Sequence, residues 1–159
     1  MRRNITNIAL ILLLIPLSCN LAGRTAAQGP PTDFHDAFEI AGICEFTVMV
    51  ELNGKAKTIE LNGERTIFTS PGLTATLTNL DDPASETTIG ITGAFHQTIR
   101  GNGDTEFVVT GRNLLIGVDP EAAFVLTIGT FSFTFDPAFN VVGPLTGNGQ
   151  VINVCELLS

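Results

Sequence analysis

From Cys44 to the C-terminus the chain alternates apolar and polar residues with a period of two. That pattern restricts it to strands with one buried face. Cys44, Phe46, Val48, Val50 and Leu52 fall on one side of the first run, and Glu45, Thr47, Met49 and Glu51 on the other. Asn53-Gly54 follows, a strong hairpin signal, and Asn62-Gly63 repeats it after Lys55 to Leu61. Arg65 to Thr69 ends at Pro71-Gly72, and Leu73 to Thr78 ends at Asp81-Asp82-Pro83.

Longer strands are expected in the second half. Thr87 to Arg100 turns at Gly101-Asn102-Gly103-Asp104 into Thr105 to Val118, and Asp119-Pro120 leads into Phe124 to Phe135. Asp136-Pro137 is the next break, and Gln150 to Cys155 is the last strand. No stretch after residue 43 carries an apolar stripe at 3.6-residue spacing. The expectation is an all-β domain: a single antiparallel up-and-down meander of about eight strands.

The N-terminus reads as an address. Arg2 and Arg3 precede an apolar run from Ile8 to Leu17, too short to cross a bilayer core of roughly 30 Å but suited to a signal peptide. Thr25-Ala26-Ala27 supplies small residues for cleavage before Gln28. The chain then divides into a cleaved signal (1–27), an N-terminal segment (28–43) and one β domain (44–159). Asp33 to Glu39 admits a short helix, a first strand or a tail. Lipid anchoring at Cys19 is an alternative, although Pro16-Leu17-Ser18-Cys19 departs from the lipobox pattern at its proline and at Leu17. No later apolar run is long enough to span a membrane.

Cleavage removes Arg2, Arg3 and Arg24 and no acid, so a formal charge of −8 becomes −11. That balance disfavours nucleic acid as a partner. Cleavage also removes Cys19 and leaves Cys44 and Cys155, an even count that reads in an exported protein as one disulfide. Cys44 opens the first expected strand and Cys155 closes the last. Terminal strands that meet describe a closed ring, which favours a barrel over a sandwich whose end strands face each other across the core.

Gly54-Lys55-Ala56-Lys57-Thr58-Ile59, Thr69 to Asn79, Ile91 to Thr98, Thr110 to Leu115 and Pro144 to Cys155 together resemble a group of small exported bacterial all-β proteins of uncharacterised function. The resemblance implies export and a single compact domain, and it carries no activity, cofactor or catalytic residue. A lipocalin is set aside because its entrance motif needs a Trp, and the chain has none.

Catalytic signatures are sparse. There is no Gly-x-Ser-x-Gly elbow, His-Glu-x-x-His, Cys-x-x-Cys or phosphate-binding loop, and no cofactor is implied. With only His35 and His96, a His-rich metal site is excluded; Asp33, His35 and Asp36 read as a solvated polar patch. A loop over Asn102–Asp104 would set Gly101 opposite Thr105, Arg100 opposite Glu106 and His96 opposite Thr110. A bulge near Gly111 would then re-aim Arg112 so that His96 and Arg112 converge on an anionic group. The competing reading puts His96 on a polar face and makes Arg100–Glu106 an ordinary cross-strand pair. Phe131, Phe133 and Phe135 form a stripe that either lines a pocket for a small apolar ligand or fills the core. The functional expectation is a secreted, non-enzymatic domain binding such a ligand or a cell-envelope component. A small barrel enzyme using His96 and Arg112 is the alternative.

Overall fold

A computed structural model describes residues 29–61 and 64–159. The expected signal peptide, the alternative anchoring site Cys19 and the expected hairpin at Asn62-Gly63 lie outside the described residues. Among the described residues there are nine strands and one short helix. They are β1 (Thr32–Ile40), β2 (Val48–Leu61), β3 (Arg65–Thr69), β4 (Thr74–Asn79), β5 (Glu86–Gly90), β6 (Ala94–Ile99), β7 (Thr105–Ile116), β8 (Phe124–Phe135), β9 (Val141–Asn153) and α1 (Val154–Leu157). All pairings are antiparallel, in the order β5-β4-β2-β3-β6-β7-β8-β9, with β1 on β2.

The sheet does not close, which corrects the barrel expectation. Neither β5 nor β1 meets β9. The cysteines do pair, with Cα atoms 5.4 Å apart, but neither lies in a strand. Cys44 sits in the bends between β1 and β2, and Cys155 sits in α1, so the disulfide staples a loop to a helix and leaves strand edges unconstrained. Around it, Asn79 Nδ2 donates to the carbonyl of Leu158 at 3.2 Å. Val154 and Leu158 are buried in the core beside Val48 and Leu77. The C-terminal turn therefore covers one end of the core.

Residues 33–39 belong to a strand, β1, which pairs along β2 from Thr32 opposite Ala56 to Ile40 opposite Val48. Asn53-Gly54 is not a turn. β1 and β4 flank β2 at Asn53, opposite His35 and Thr74, and the chain runs straight through. A Cβ at Gly54 would stand 2.5 Å from the Gly72 carbonyl oxygen, so glycine serves a close approach there instead of a hairpin. The expected run from Thr87 to Arg100 is split. β5 pairs with β4, the chain crosses at Ile91-Thr92-Gly93, and β6 pairs with β3 and β7. The crossing is pinned by Ser70 Oγ, which donates to the carbonyls of Ile91 (2.7 Å) and Gly93 (3.0 Å).

Two apolar clusters lie on opposite faces of the β7–β8 ribbon. Leu114, Phe124 and Leu126 pack with Val50, Leu52 and Leu77. Val109, Val125 and Phe131 pack on the other face with Phe133, Leu115 and Val118. The switch from odd to even apolar positions along β7 is thus a strand serving two cores. No register shift interrupts its pairing with β8, which corrects the expected bulge.

Midway along the ribbon Gly111, Gly129 and Gly149 stand side by side across three strands. Gly129 has φ 143°, and a Cβ there would lie 2.3 Å from the Asn148 carbonyl oxygen. A side chain is excluded at Gly129 and at Gly149, where a Cβ would lie 2.2 Å from the Ile128 carbonyl oxygen, and the ribbon bends along this line.

Candidate functional site

The β6–β7 turn adopts the expected three-residue loop one position early, over Gly101–Gly103. Arg100 and Asp104 close it: the Arg100 N–H donates to the Asp104 carbonyl and the Gly103 N–H to the Arg100 carbonyl, each at 2.8 Å. Gly103 takes φ 89°, as such a loop requires. Every cross-strand pair consequently shifts by two, so that His96 faces Val108 and Ile67 rather than Thr110. A shift of two keeps each side chain on its face, and Arg100 still forms its ion pair with Glu106.

Arg112 lies four residues beyond Val108 on β7, about 13 Å farther along the strand than His96's partner. Its Nε donates to the Gly90 carbonyl at 2.8 Å. The pairing therefore does not set His96 opposite Arg112, and Arg112 holds the crossing between β5 and β6. Beneath that crossing Asn113, only 2% exposed, donates through Nδ2 to the Thr110 carbonyl at 3.0 Å. Its Oδ1 accepts no hydrogen bond among the described residues and abuts Gly93, where a Cβ would be 2.1 Å away. A shallow depression of about 280 Å³ lies over this junction, lined by Ser70, Thr92, Gly93, Thr110 and neighbouring residues.

The phenylalanine stripe is packed. Phe131, Phe133 and Phe135 are each at least nine-tenths buried. Phe107 stacks on Phe133 at 5.1 Å between centroids, and Phe135 meets both rings edge-on at 5.7 and 6.0 Å. Neighbouring rings thus occupy the space beside the stripe. On β1, His35 and Asp36 border an open groove of about 560 Å³ with Glu51, Asn53 and Thr76. No group of three His, Cys, Asp or Glu side chains stands ready to hold a metal among the described residues.

Phe139, which the sequence reading passed over, sits in a hydrogen-bonded turn. Asp136-Pro137-Ala138-Phe139-Asn140 joins β8 to β9. Asp136 Oδ1 accepts from the N–H groups of Ala138 (2.9 Å) and Asn140 (2.8 Å), and Oδ2 accepts from Asn140 Nδ2 (2.9 Å). The Phe139 N–H donates to the Asp136 carbonyl and the Asp136 N–H to the Asn140 carbonyl, both at 2.9 Å. The Asn140 side-chain amide, with the N–H groups of Asn140 and Ala138, holds the Asp136 carboxyl below the ordinary aspartate range.

This cage forces Phe139 to φ 62°, a left-handed conformation that is uncommon for a bulky side chain, and leaves its ring 65% exposed. Val141 and Val142 are also exposed. They directly follow Asn140, so the tip is flanked in sequence by two further exposed apolar side chains. The available signal was an apolar ring inside an Asp-Pro-x-x-Asn turn, where polar residues are the norm.

A wider property surrounds this tip. Asp136 is the only charged residue from Ala122 to Cys155, in a chain of formal charge −8. No protein-family model, curated protein or solved structure matches this chain.

Proposed function

We propose that the protein is an exported, non-enzymatic interaction domain that presents the Phe139 tip to an apolar component of the cell envelope. Export rests on the basic, apolar and small-residue succession of residues 1–27, and a disulfide between Cys44 and Cys155 is consistent with an oxidising compartment. The tip reading is carried by one observation: a phenylalanine held out at φ 62° by five hydrogen bonds around Asp136. Backbone strain of this kind persists where the surroundings over-determine it, and a rigid exposed aromatic ring is an effective contact anchor. The close packing of Phe131, Phe133 and Phe135 favours this reading over an internal apolar-ligand pocket.

The test is binding of fluorescently labelled protein to intact cells of the producing organism. Native protein is expected to bind saturably, and Phe139→Ser to bind at least about tenfold more weakly. Absence of binding by the native protein, or equal binding by the variant, overturns the proposal.

A further inference from the structure

We infer that the outer edge of β9 pairs with β9 of a second copy, joining two chains antiparallel about a two-fold axis. Among the described residues β9 ends the strand order and pairs only with β8. A strand edge offers a row of backbone donors and acceptors that another strand can complete.

Natural edges are usually protected by charge, proline or a bulge. Here Pro144 and the register shifts opposite Ser132–Phe135 guard only the start of β9, where the Leu145 N–H is also taken by the Val118 carbonyl. From Thr146 to Asn153 the pairing with β8 is regular and the strand carries neither charge nor proline.

Charge selects this edge and a second copy as its occupant. β1 carries Asp33, Asp36 and Glu39, and β5 carries Glu86, so two copies of an acidic chain meeting at those strands would oppose like charges. β9 is the edge at which two such chains approach without that opposition. A two-fold operation brings together identical uncharged strands, the self-complementarity that an isologous interface demands. With the axis near Asn148–Gln150, these two polar side chains from each copy lie beside one another. An eight-residue edge makes a small interface, and the dimer is accordingly weak and concentration-dependent.

Sedimentation of the purified protein from roughly 1 μM to roughly 1 mM should show the mass rising toward twice that of the monomer. Asn148→Lys with Gln150→Lys places like charges across the axis and should weaken association at least about tenfold, as should the Asn148→Glu with Gln150→Glu pair alone. Mixing the two variants should restore the doubled mass. A second measurement needs no variant: backbone amides of Gly147–Val151 should exchange more slowly at high protein concentration. A native mass that stays monomeric overturns the inference. So does a lysine variant that associates like the native chain, a mixture that does not recover, or amide exchange indifferent to concentration. This inference does not rest on the tip: Phe139 lies outside Thr146–Asn153, and Phe139→Ser leaves the mass unchanged.

Discussion

The backbone N–H of Leu145 donates to the carbonyl of Val118 at 3.0 Å. Thr146, next to Leu145, pairs with Ser132, whereas Val118 lies just beyond the β7–β8 pair Ile116–Phe124. In a straight ribbon Ser132 and Phe124 would be separated by about 26 Å. The tip of the β7–β8 hairpin is therefore folded back across its own sheet, and the second apolar cluster fills the inside of that fold. Gly111, Gly129 and Gly149 mark where it happens.

Placing a methyl group on this line should be costly. Gly129→Ala brings a Cβ to 2.3 Å from the Asn148 carbonyl oxygen and 2.8 Å from the Gly149 Cα, at a φ that L-residues avoid. The expected loss is about 3 kcal/mol by urea denaturation with the disulfide intact. Gly101→Ala meets nothing within 4 Å and should stay within about 0.5 kcal/mol of native. Equal midpoints for the two variants would show that the ribbon bends by some other means.

The disulfide should matter more than its peripheral position suggests, because it closes 111 residues of sequence separation. Constraining a loop of that size in the unfolded chain is worth up to about 4.7 kcal/mol in the chain-entropy account. Cys44→Ser with Cys155→Ser should lose about 3–5 kcal/mol in the same denaturation assay and loosen the α1 end of the core first. That end should lead in amide exchange, with Val154 and Leu158 losing protection before Val109. A double variant as stable as the native protein would contradict this.

Asp136 gives a pH dependence with a definite sign. Its carboxyl is held below the ordinary range by the Asn140 side-chain amide, then by the backbone N–H of Asn140 and that of Ala138. A folded value below the unfolded one means the contribution is complete above the unfolded value of about 3.9 and fades as pH falls through the folded value. The Ala138 and Asn140 amide resonances should shift with a midpoint below about 3.9 on acidification, and that transition should vanish in Asp136→Asn. A midpoint at or above the ordinary value would remove the cage as the force holding Phe139.

Local chemistry alone determined the strand-forming character of this chain. Alternation at Val48, Val50 and Leu52 or at Phe131, Phe133 and Phe135 reports a half-buried strand wherever its partner lies, and Gly103 announces its turn without help from distant residues. Sulfur pairing was legible too: Cys44 and Cys155, read from the sequence as one bridge, stand with their Cα atoms 5.4 Å apart. Closure was not legible, because strand edges are completed by whichever backbone arrives, and the cysteines that meet belong to a loop and a helix. Nor was the role of Asn53-Gly54 or of Gly129, since a glycine that permits a turn and one that admits a neighbouring carbonyl are the same residue until that neighbour is in place. Phe139 shows the same limit: only the assembled hydrogen bonds around Asp136 hold its ring out into solvent.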